Sequence, residues 1–145
     1  MCIRDSNVSI DGGSNYNVTK TTFLYYARHK ENGTAYGFGT DAGNNLDQNT
    51  GFKTLYFDTG NDNDQAAGGY LHLFNPSSTT FAKKFLSNFA SSGENDWAYH
   101  TYGSGIINTT SAINAIQFKS SSGNVDAGSI FLHGLTTWVV LYHKT

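Results

Sequence analysis

The sequence predicts an all-β domain, an antiparallel two-sheet β-sandwich of jelly-roll-like form. Three observations carry this expectation. Apolar and polar residues alternate with a period of two, as at 69–74 (GYLHLF), where Leu71 and Leu73 fall on one side and Tyr70, His72 and Phe74 on the other. Turn chemistry recurs between such segments, at Asp11-Gly12-Gly13-Ser14, Glu31-Asn32-Gly33 and Asn75-Pro76-Ser77-Ser78. Helix formers are scarce: the only glutamates are Glu31 and Glu94, while Asn, Ser and Thr abound and compete with helix by bonding local backbone.

The elements follow in order. Residues 21–29 (TTFLYYARH) are rich in β-branched and aromatic side chains and read as a long strand. Asn32-Gly33 is a strong hairpin signal, which makes 35–39 (AYGFG) the returning strand, weakened by its glycines. A polar loop at 41–50 leads to a strand at 51–57 (GFKTLYF), and a second, acidic loop covers 58–65. The strand at 69–74 ends at the Asn75–Ser78 turn, where Pro76 removes no ladder bond. In 79–89, Phe81, Phe85 and Phe89 fall four apart, which suits a helix. The turn before them and the alternation of Phe81, Lys83 and Phe85 favour a strand. A loop is expected at 91–96, then strands at 97–102 (WAYHTY), 113–119 and 129–134 (SIFLHG). Ile116 and Phe118 are expected inward, as are Ile130 and Leu132. About nine strands result, and two packed antiparallel sheets are the natural way to bury them.

Length and composition bound the function. The 145 residues suit one domain, and 10 Phe, 9 Tyr and 2 Trp can build its core although hydrophobic residues are 38% of the chain. A net charge of -2 offers no electrostatic drive toward nucleic acid or an anionic membrane. No apolar run is long enough to span a bilayer, and no stretch has the form of a signal peptide. The single Cys, Cys2, lies in 1–6 (MCIRDS), which resembles a translated sequencing adapter. That hexapeptide is set aside, and 136–145 is treated as a candidate non-native tail, so the domain is expected at 7–135. No disulfide or thiolate chemistry then remains.

No constellation points to catalysis, and no cofactor is expected. Asp58, Asp62 and Asp64 alternate with Asn61 and Asn63 but lack the glycine and glutamate of a calcium loop, so a solvated loop is the plainer reading. His72 and His133 occupy matching strand positions that would allow a shared metal, against the plainer reading of outward polar residues. Gly103-Ser104-Gly105 lacks the frame of a nucleophile elbow. The chain is therefore expected not to be an enzyme. Tyr25, Tyr70, His72, Trp97, Tyr99 and Tyr102 lie on strands. Strand aromatics usually form the core. On an outer face they would instead stack sugar rings, with Tyr70, His72, Trp97 and Tyr99 as the candidate ligand-binding set.

Residues 71–81 (LHLFNPSSTTF) and 116–134 (IQFKSSSGNVDAGSIFLHG) resemble a family of marine tailed-bacteriophage virion structural proteins. Stretches 12–22 (GGSNYNVTKTT) and 60–65 (GNDNDQ) are similar as well, and the likeness covers most of 7–135. In that family a strand, a Ser-Ser-Gly-Asn turn and a Gly-x-Ile-x-Leu-Tyr-Gly strand close the domain; here His133 stands in place of the usual Tyr. The resemblance implies an N-terminally shortened fragment and a virion location. It implies a structural or attachment module of the tail-fibre or capsid-decoration type, with other virion proteins or copies of itself as partners. A glycan-binding sandwich that takes a host surface glycan is the alternative. Neither implies a nucleic-acid or membrane partner.

Overall fold

The computed structural model describes residues 4–60, 62–120 and 127–135. Among them the chain is an all-β sandwich of two antiparallel sheets. The smaller sheet holds β1 (Asp5–Ser9), β4 (Lys53–Thr54) and β8 (Ala115–Lys119), in the order β4-β1-β8. The larger holds β2 (Lys20–Lys30), β3 (Tyr36–Thr40), β5 (Ala67–Phe74), β6 (Lys83–Gly93) and β7 (Trp97–Ile107), in the order β3-β2-β7-β6-β5. These eight described strands match a jelly roll in number, but they divide three and five.

Turn residues close the hairpins of the large sheet. Gly33 adopts φ 73° and its N–H donates to the Lys30 carbonyl at 2.9 Å between β2 and β3. Asn95 and Asp96, with φ of 59° and 60°, carry the chain from β6 to β7. Asn tolerates this left-handed region better than most residues do. Asn75 and Pro76 open the turn between β5 and β6, where the Ser78 N–H bonds the Asn75 carbonyl at 3.1 Å.

The inner face of the large sheet packs on β1 and β8. Val8, Val18, Phe85 and Ile107 form the centre of this contact, with Leu71, Leu73, Ile113 and Ile116 around them. Beyond the short small sheet, the segment after β4 continues the covering layer. Leu55 and Tyr56 are buried there, Phe57 stacks on Tyr26 at 4.3 Å, and Tyr99 meets both Phe57 and Tyr26.

Several sequence expectations need correction. The strand expected at 51–57 shrinks to Lys53–Thr54, because the chain turns its side chains onto the large sheet instead of continuing a ladder. The first half of the loop expected at 91–96 is strand: Ser91, Ser92 and Gly93 pair with Tyr99, Ala98 and Trp97. Partners on β7 hold these weak strand formers in the sheet. The closing strand expected at 129–134 is absent; Ile130 and Leu132, expected inward, are exposed and form no ladder. The turn between β8 and this segment falls largely outside the described residues, as do 136–145. Conversely, the hexapeptide set aside at the start supplies Asp5 and Ser6 to β1, which is buried along its whole length. Backbone pairing on both sides, to Thr54 and Lys119, makes that possible without strand-forming side chains.

Three lysines lie between the layers. The Lys83 ammonium donates to the carbonyls of Ser78, Phe81, Thr109 and Thr110, tying the turn before β6 to the segment after β7. Replacing it by Met would strand those carbonyls. Lys83→Met is expected to lower stability by about 3 kcal/mol, read as a fall in the urea midpoint.

Lys20 donates to the Gly51 carbonyl and Lys53 to the Asn44 carbonyl, yet burial pushes both ammonium groups down to about 8. The unfolded chain holds these protons up to the ordinary 10.5. Between those limits the unfolded state binds more protons, so stability should rise with pH from about 8 to about 10.5. Urea melts of the protein and of Lys53→Met across that range check this: the protein should gain stability relative to the variant as pH rises.

Candidate functional site

The alternation of the large sheet decides which aromatics meet solvent. On β7, Tyr99, Thr101 and Ile107 point inward, whereas His100, Tyr102 and Ile106 point outward. The register then builds one row across the outer face. Tyr70 of β5 lies opposite Asn88 of β6, Asn88 opposite Tyr102 of β7, Tyr102 opposite Tyr25 of β2, and Tyr25 opposite Thr40 of β3. The neighbouring row reads His72, Leu86, Ser104 and Phe23.

These rows form a groove of about 400 Å³. Tyr25 and Tyr102 stand on one side, Tyr70 and His72 on the other, and Leu86, Asn88 and Ser104 lie between them. The size falls in the range of small-ligand sites. Tyr25 and Tyr102 stack with ring centroids 5.1 Å apart and planes 15° apart. Phe23 and Phe38 lean on Tyr25 from either side. His72 stacks on Phe74 at 4.6 Å. His100 meets the Asn88 amide oxygen at 2.6 Å and packs against Tyr102 at 4.4 Å, which orients both groups. Tyr25, Tyr102 and His72 are therefore braced by neighbouring rings, and Tyr70 is 60% exposed.

Of the four residues expected to bind a ligand, the structure brings Tyr70 and His72 to this groove and removes the other two. Tyr99 is 6% exposed and packs in the core against Tyr26 and Phe57. Trp97 shares its inward face and lies under the Arg28 guanidinium, 4.4 Å from the ring. Parity is the reason: Trp97 and Tyr99 are odd-numbered on a strand whose even positions face out. Tyr25 and Tyr102, noted on strands but left out of the expected set, are the true partners of Tyr70. Asn88 and Ser104 carried no signal of their own, since only the cross-strand register aligns them with the tyrosines.

The other constellations stay apart. His72 is on the outer face of β5, whereas His133 lies in the exposed segment beyond the strands. Among the described residues no three His, Cys, Asp or Glu groups gather as a metal site would require. Asp62 bonds Gln65 within its own loop, and Asn61 lies outside the described residues. Gly103-Ser104-Gly105 is mid-strand in β7, where missing side chains make room for Phe85 and Ser87 of β6. No described helix is long and apolar enough to cross a membrane.

Fold and site together define an antiparallel β-sandwich with a solvent-facing aromatic groove on its larger sheet. No family model, no curated protein and no solved structure matches this chain.

Proposed function

We propose that the chain is a non-catalytic attachment module that holds a surface glycan on the outer face of its five-stranded sheet. The observation that carries this is the outward row of Tyr70, Tyr102 and Tyr25, interleaved with Asn88 and flanked by His72 and Ser104. A sugar ring has an apolar C–H face and a rim of hydroxyls. Aromatic rings cover the first, and amide, hydroxyl and imidazole groups bond the second. Tyr25 and Tyr102 are already stacked on one another and His72 on Phe74, so little freedom of those side chains would be lost on binding. The resemblance to tailed-phage structural proteins supports a virion-surface setting, where recognition of a host polysaccharide serves attachment. A glycan array followed by calorimetric titration tests the reading: saturable binding to a polysaccharide is the expected result, and no binding to any surface polysaccharide would defeat it.

A second reading, a structural subunit that packs against other virion proteins or copies of itself, has one specific observation in its favour. Tyr36 and Phe38, two apart on one face of the edge strand β3, are 84% and 73% exposed, and large exposed apolar side chains in patches mark protein contacts. Light scattering of the full chain separates the two: this reading requires association, whereas the first is compatible with a monomer.

A further inference from the structure

The charges of the molecule are sorted by place. No Asp or Glu occurs in β2, β3, β5, β6 or β7, so the whole large sheet lacks a carboxylate. The described carboxylates outside β1 all lie in turns and loops. The nearest to the tyrosine row by register is Asp41, next to Thr40. It is turned into the cap of the Ala42–Asn44 turn, where it accepts from the Gly43 N–H and bonds the Asn44 amide. The outer face itself presents Lys84, His29, His72 and His100. Lys84 is exposed, sits opposite Phe74 and lies two residues from Leu86 on the same face of β6, about 7 Å along the strand. A protein with net charge -2 thus keeps its described acids out of the strands of this sheet.

Resting on the glycan reading above, we propose that the groove takes an anionic polysaccharide, one whose sugars carry carboxylate or sulfate groups. Stacking on Tyr25, Tyr70 and Tyr102 would hold the rings. Lys84, together with an imidazole N–H of His72, would meet the acidic substituents, and no sheet carboxylate would repel them. A neutral glycan would gain the stacking alone. The absence of sheet carboxylates removes a penalty on an acidic ligand, and the preference over a neutral one comes from Lys84.

The test uses the full chain and three polymers of matched length: a polyuronate, a sulfated galactan and a neutral β-glucan, each titrated at low and high salt. At least one anionic polymer should bind roughly tenfold more tightly than the neutral one, and raising salt beyond physiological strength should shrink that margin. Lys84→Glu should lower the anionic-to-neutral affinity ratio roughly tenfold, with the thermal midpoint of the protein checked in parallel. Polyuronate and sulfated galactan, compared with each other, identify the preferred acidic group. Equal binding of neutral and anionic polymers would overturn this inference while leaving the glycan reading intact. Failure to bind all three would overturn this inference, and silence on the glycan array as well would overturn the glycan reading.

Discussion

Tyr102→Ala is expected to weaken polysaccharide binding at least about thirtyfold, or about 2 kcal/mol, in the manner of a central aromatic anchor. Tyr102 stands at the middle of the outer row, stacked on Tyr25 and touching His100. Its loss removes one platform and frees the second to reorient. The fold should survive, because the side chain lies on the outer face and fills no core space. Tyr99→Ala supplies the contrast. That ring is buried among Tyr26, Phe57 and Trp97, so its truncation should cost about 3–5 kcal/mol of stability. The affinity of the molecules that remain folded should be unchanged. Calorimetric titration and thermal melts of both variants check the pair. Equal loss of affinity in the two would mean that the outer face is not the site.

Gly105→Val is expected to be strongly destabilising, costing about 3 kcal/mol or more. A Cβ at this position would sit 2.7 Å from the Thr21 carbonyl oxygen and 2.6 Å from the Phe85 ring. The first is backbone of the neighbouring strand and cannot move without breaking the β2–β7 ladder. The second is held in the core by Val8, Val18 and Ile107. Soluble yield and the urea midpoint measure the effect, and a variant as stable as the parent would show that β7 packs less tightly against Thr21 and Phe85 than described.

Gly105 also shows how far local reading reaches. In the sequence, Gly103-Ser104-Gly105 is a short motif to be compared with catalytic turns. In the fold it is a pair of missing side chains that lets β6 and β7 come together. The segment before β7 gives a similar lesson. Phe81, Phe85 and Phe89 are four apart, a spacing that fits a helical face but is also a multiple of the strand period. The inward burial of Lys83 and Ser87 between them belongs to a strand. The preceding turn and the alternation favoured that answer, and the hydrogen-bonded neighbours on both sides made it stable.

What the sequence determined by itself was the class of fold, the β2–β3 and β5–β6 hairpins and the two faces of β5. These depend on turn residues such as Asn32-Gly33 and Asn75-Pro76 and on side-chain parity, both of which act within a few residues. Tertiary structure alone decided which aromatics form the groove, because facing out depends on which side the second sheet covers. It also decided that Asn88 and Ser104 join Tyr25, Tyr70 and Tyr102, since residues far apart in the chain become neighbours only through the register of four strands. The same long-range pairing drew Asp5 and Ser6 into a central strand and left Ile130 and Leu132 outside. Ladder bonds are made by the backbone, so a segment's composition signals them weakly.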